Sequence, residues 1–161
     1  MPREESGLRI DRMLACYRQG DQAGVAYWFS RAFEPVLVWK DQRSEVLLCR
    51  CAVLVMPPLA AREWLSRARI LAKHYDLPDE DAPALANLGL VNLELGDFAR
   101  AYACLNEGLL TLEGSARAVV LNNLSLVVAR TDRTKALTLL ASAVSCAERR
   151  HAAAILSNQL V

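Results

Sequence analysis

The chain is poor in the residues that most catalytic chemistry requires. It holds only two histidines in 161 residues. His74 and His151 stand apart in Arg- and Ala-rich surroundings that give no zinc-ligand spacing. With seven glycines, it contains no glycine-rich phosphate loop, no nucleophile elbow and no paired-histidine helix motif. These absences argue against an enzyme and against any cofactor or metal. Charge of one sign is also missing. Nineteen Lys and Arg stand against eighteen Asp and Glu, a formal net charge of +1, which gives no general pull toward nucleic acid or anionic membrane. Long apolar runs are interrupted by Pro57-Pro58 or by charges before they reach membrane-spanning length, and Met1-Pro2-Arg3-Glu4-Glu5 is no signal peptide. The expectation is a cytoplasmic protein without a membrane or direct nucleic-acid role.

Disulfide chemistry is disfavoured as well. Five cysteines, an odd number without framework spacing, point to reduced thiols. Cys16, Cys49, Cys51, Cys104 and Cys146 all fall in expected helices. Cys49-Arg50-Cys51 has the look of a metal or redox pair, but on a helix its two thiols diverge by about 200°, so both are expected as buried small hydrophobes. Aromatics make up only 6% of a chain that is 53% hydrophobic, which favours alanine and leucine packing between helices in one domain spanning residues 1–161.

What is present is helical periodicity. Leu85, Leu88 and Gly89 share one face, Gly96-Asp97 interrupts it, and Phe98, Ala101, Leu105 and Leu109 form a second apolar stripe. Gly89 and Ala101 let two helix backbones approach, with Phe98 and Leu105 filling the space beside them. Gly96 can take the left-handed conformation that ends one helix, and Asp97 is placed to cap the next. No segment reads as a strand. Helices are expected near 7–19, 22–34, 42–56, 59–75, 82–95, 98–112, 116–130, 133–148 and from 150 to the end. This map leaves all six prolines outside helix interiors, with Pro35 after the second helix and Pro83 in the first turn of its own. Asp79-Glu80-Asp81 falls in the joint before that helix, where negative charge complements the helix dipole.

The stretch from Ala82 to Ser115 resembles one tetratricopeptide repeat, through Asn87, Leu88, Gly89, Gly96, Asp97, Phe98, Ala101 and Leu109. Gly108 stands where that pattern has alanine and Asn92 where it has an aromatic. One repeat cannot bury its own apolar face, and fainter copies surround it. Gly20-Asp21 matches Gly96-Asp97, with Val25 in the place of Ala101 and Phe29, Ala32 and Phe33 continuing the stripe. Leu48 and Ala61 repeat the spacing of Leu88 and Ala101 around a Met56-Pro57-Pro58 turn. Asn123 and Leu124 match Asn87 and Leu88, with Ala136 one residue early and hence a tighter turn at Thr131–Thr134. Ala32, Ala68, Gly108 and Ala143 recur at a common position. The resemblance implies an all-α, right-handed solenoid of antiparallel helix pairs, about four repeats (near 7–35, 42–75, 82–115 and 116–148) plus a C-terminal helix at 150–161. In style the chain is also similar to the helical sensor regions of bacterial regulators of the MalT/LuxR type.

That resemblance implies a protein or peptide interaction module. The first helices of the repeats would line a concave groove through Ile10, Leu14 and Tyr17; Val46, Arg50 and Val53; Ala86, Leu90 and Leu93; and Asn122, Leu126 and Ala129. Only Arg50 and Asn122 there suit a peptide carboxylate, so an apolar helix or extended hydrophobic peptide is the better guest, held by burial at roughly 25 cal/mol per Å². The alternative is that groove positions fill a tightly wound superhelix. Arg62, Ser66, Arg69 and Lys73 are expected as a solvated stripe, and Trp28 and Trp64 as packing between neighbouring second helices. The last segment carries Ile155, Leu156 and Leu160 on an apolar face, for a homodimer partner or for continuation into a larger parent chain.

Overall fold

Every helix leaves unpaired amides at its start and unpaired carbonyls at its end, and at three of its joints this chain resolves them with one repeated device. At Gly20-Asp21 the glycine takes a left-handed φ of 74°, the Asp21 amide donates to the Cys16 carbonyl at 2.9 Å, and the Asp21 carboxylate accepts from the Gly24 amide at 2.9 Å. Gly96-Asp97 repeats it: φ 75°, Asp97 amide to Asn92 carbonyl at 2.8 Å, and Asp97 carboxylate from the Arg100 amide at 3.2 Å. A third copy uses lysine. Lys40 adopts φ 50°, the Asp41 amide donates to Val36 at 3.2 Å, and Asp41 accepts from both the amide and the hydroxyl of Ser44. In each case one helix is closed and the next opened within a few residues.

The computed structural model describes the backbone of residues 2–159, and the side chains of 7–38, 40–114 and 116–149. It is all-helical, with no strand among the described residues: α1 (Pro2–Arg18), α2 (Gln22–Trp39), α3 (Gln42–Cys51), a 3₁₀ turn (Ala52–Leu54), α4 (Pro58–His74), α5 (Pro78–Glu94), α6 (Phe98–Leu109), α7 (Gly114–Val128) and α8 (Arg133–Gln159). The chain forms two compact units, Met1–Asn87 and Leu88–Val161, so the division falls inside α5. Helices adjacent in sequence pack on one another within each unit.

In the first unit, α1 contributes Ile10 and Met13, α2 contributes Val25, Phe29, Ala32 and Val36, and α3 contributes Leu48 and Cys51 to one core. Trp64 of α4 closes it, with its ring 5.2 Å from that of Phe33 and 6.4 Å from that of Phe29, which is the contact between second helices that the sequence leads one to expect. A second cluster sets Val46 and Cys49 against Ala68, Ala72 and Ala84, where alanines permit close backbone approach. In the second unit Leu105 is fully buried against Gly89, and a Cβ added at Gly89 would lie 2.5 Å from the Leu105 side chain. The recurring small positions Ala32, Ala68, Gly108 and Ala143 are all buried.

Several expected boundaries are corrected. Pro35 lies inside α2, which runs on to Trp39. Proline has no N–H to offer the carbonyl four residues back, and Arg9 of α1 donates to that Arg31 carbonyl at 2.6 Å instead, so a tertiary bond stands in for the missing helical one. α5 begins at Pro78, which places Asp79-Glu80-Asp81 in its first turn and Pro83 in its interior. α3 ends at Cys51 and gives way to a 3₁₀ turn. The α7–α8 connection spans Ala129–Asp132, longer than Leu95–Asp97 between α5 and α6, so it is not the tighter turn. Residues 133–148 and 150–159 belong to one helix, α8, because no glycine or proline falls between Arg133 and Gln159 to stop it.

Lys40 is a non-glycine residue held left-handed, a conformation that costs an L-residue roughly 1 kcal/mol. Lys40→Gly is therefore expected to raise stability by up to about 1 kcal/mol, measured as a higher urea midpoint with an unchanged slope.

Candidate interaction surface

The expected groove residues fall into three environments. Ile10, at 2% exposure, and Val46, at 0%, belong to the core clusters of the first unit. They are core residues and offer a guest no surface. Leu14, Val53, Ala86, Leu90 and Leu93 are half-buried. Tyr17 is exposed, as are Asn122, Leu126 and Ala129 of α7.

On α7 the pattern is sharpest. Ala118, Val120, Leu121, Leu124, Val127 and Val128 are buried, whereas Val119 is 57% and Leu126 53% exposed, with Asn122 between them. Their spacing of three and four residues places these three side chains on one face, so a helix with a satisfied apolar side presents a second, open one. Asn122 offers amide donors and an acceptor in the middle of that stripe. α8 carries a comparable face that sequence inspection missed: Ala136 and Ala143 are buried, while Leu137, Leu140 and Val144 are 61, 41 and 51% exposed. The continuation surface expected at Ile155, Leu156 and Leu160 lies outside the residues whose side chains are described.

Arg50 is not free to hold a peptide carboxylate. Its guanidinium pairs with Glu80, and the two side chains are only 21% and 12% exposed. Arg43 donates to Asp79 at 2.6 Å and to Glu80 at 3.2 Å, and Arg69 donates to Asp81 at 2.9 Å. Three arginines from α3 and α4 thus hold the three acids in the first turn of α5. The Arg43 guanidinium also keeps the Asp79 carboxyl below the usual carboxylate range. Arg69, read from sequence as part of a solvated stripe, is mostly covered, while Ser66 and Lys73 are exposed and Arg62 is intermediate. A neighbouring link joins Glu45 of α3 to Arg67 at 3.3 Å and to the Tyr75 hydroxyl at 2.9 Å.

Cys49 and Cys51 are buried free thiols, each pushed up to about 11 by burial. In the second unit Cys104 lies 4.0 Å from the Asn92 amide nitrogen. The Asn92 side-chain oxygen is buried with no hydrogen-bond partner. Among the described residues, no three His, Cys, Asp or Glu side chains assemble in a metal-holding group, and no helix is long and apolar enough to cross a membrane. Comparison with protein families, curated proteins and solved structures finds no significant match for the chain.

Removing Glu80 strands Arg50 in a covered site. Glu80→Ala is expected to cost about 2–3 kcal/mol in urea unfolding, and Asp79→Ala, on the exposed side of the same cluster, far less. At about pH 8, a thiol reagent should modify Cys49 and Cys51 at least about tenfold more slowly than Cys16, Cys104 or Cys146. Because the folded state holds the two protons more tightly than the unfolded chain, stability should fall as pH rises from about 9 toward 11.

Proposed function

We infer that the protein is a non-catalytic interaction module of the tetratricopeptide-like class, a right-handed solenoid of paired helices that binds an apolar helix or hydrophobic peptide. The observation that carries this reading is the open apolar face of α7, where exposed Val119 and Leu126 flank Asn122 on a helix already buried along its other side. Burial of that stripe supplies the affinity, and the Asn122 amide supplies backbone hydrogen bonds that fix the guest in register. The repeated left-handed residue and aspartate at Gly20-Asp21 and Gly96-Asp97 support the repeat reading, since equivalent turns close helices at equivalent places. Cysteines in odd number, five in all, support a reducing, cytoplasmic setting. A role as the sensory or assembly part of a bacterial regulator follows from the same likeness of style.

A second reading rests on α8. Leu137, Leu140 and Val144 form an exposed heptad-like seam of the kind that pairs helices in homodimers. The two readings separate on mutation. Leu126→Asp is expected to reduce capture of partners from an extract of the source cell by roughly tenfold while circular dichroism and mass by light scattering stay unchanged. Unchanged capture would sink the α7 reading. Leu140→Asp is expected to leave capture intact, and a halving of the solution mass with that variant would favour the dimer instead.

A further inference from the structure

A cleft of about 550 Å³ opens in the second unit between α6, the end of α7 and the first turn of α8. Its floor includes Val127 and Val128, both nearly covered. Two aromatic rings stand in its wall, and each has a cation against it. The Arg130 guanidinium lies 4.1 Å from the centre of the Phe98 ring. The Lys135 ammonium lies 5.6 Å from the Tyr102 ring and 3.4 Å from the Tyr102 hydroxyl. The lining carboxylate, Asp132, is engaged as the cap of α8, accepting from the Lys135 amide at 2.9 Å.

Neither Arg130 nor Lys135 forms an ion pair among the described residues. A guanidinium laid on an aromatic ring keeps its in-plane N–H donors available and loses little freedom when an anion arrives. Its face away from the ring remains able to stack a second planar group. The volume lies within the roughly 300–1,000 Å³ of small-molecule sites, and apolar floor, aromatic wall and a few polar groups are the usual composition of such sites.

We propose that this cleft binds a small planar aromatic anion, its carboxylate or phosphate held by Arg130, Lys135 and the Tyr102 hydroxyl and its ring stacked on the open face of Arg130 above Val127. The cleft shares no lining residue with the Val119, Asn122 and Leu126 stripe of α7. An anion joins the two cations without displacing an internal ion pair, and charge-assisted hydrogen bonds supply the orientation. A neutral aromatic of the same shape gains only the apolar contact, so the charge is the discriminating feature of the ligand.

The test is calorimetric titration of the full chain with 2-naphthoate, 2-naphthyl phosphate and neutral 2-naphthylmethanol. At least one anion should bind with a submillimolar Kd, about tenfold or more tighter than the neutral compound. The relative strength of the two anions identifies the head group. Arg130→Gln/Lys135→Gln should weaken the anion by about tenfold or more with circular dichroism unchanged, and the single variants serve if the double variant does not fold. Tyr102→Phe, which keeps the ring and removes the hydroxyl, should weaken it by about two- to fivefold. Equal binding of the neutral compound, equal binding by the well-folded Gln variants, or no heat from either anion at about 10 mM would overturn the proposal.

Discussion

The constraint on which this structure depends is the closure of helix ends. An apolar stripe buries itself only if the helix stops where the stripe stops, and each stop exposes carbonyls that need donors. Here a left-handed residue folds the chain back so that the following amide reaches the carbonyl five residues earlier, and an aspartate then caps the next helix. The same geometry at Gly20-Asp21, Lys40-Asp41 and Gly96-Asp97 brings stripes such as Ile10–Met13 and Val25–Phe29 into contact. At Asp76 the turn recurs with φ 54°, and the Leu77 amide donates to Ala72 at 2.8 Å. There α5 begins with a proline and three acids in place of an aspartate cap.

The acids have a second use. Placed in the first turn of α5, they meet the positive end of its dipole and the arginines of α3 and α4 together. Arg50 and Glu80, both largely covered, make that contact specific, since neither charge is tolerated there without the other. The first unit is therefore held by both an apolar core and an ionic clasp. The second unit relies on apolar packing, and it accommodates Asn92, whose buried oxygen finds no donor. An aromatic at that position, as the repeat pattern has, would bring no such unpaired group.

Much of this was legible in the residues themselves. The two Gly-Asp turns, the recurring small residues and the packing role of Trp64 follow from steric and capping rules that act over a few neighbours. Other features were hidden because they depend on partners distant in sequence or on residues that break the local rule. Lys40 hid a turn because lysine rarely adopts the conformation that glycine takes freely. Pro35 looked like a helix end because nothing nearby in sequence announces that Arg9 will supply the missing donor. Arg50 and Arg69 looked available or solvated because their acidic partners come from another helix. Of the candidate surface, Asn122 and Leu126 were reached only through the repeat resemblance, which also placed Ile10 and Val46 in the groove although both are core. An apolar residue at a groove position and one at a core position look alike until the neighbouring helix is in place. The cleft at Arg130 was invisible, since it is assembled from three elements.

The bond from Arg9 to the Arg31 carbonyl has a consequence for how the molecule opens. In an ordinary helix each rung is local, so one helix can peel away and leave the next one's ladder whole. Here one rung of α2 is made by a side chain of α1. Detaching α1 leaves that carbonyl to solvent midway along α2, just where proline already weakens the spiral. Excursions of the first helix are thereby coupled to loosening of the second, and the two should breathe as one cooperative segment.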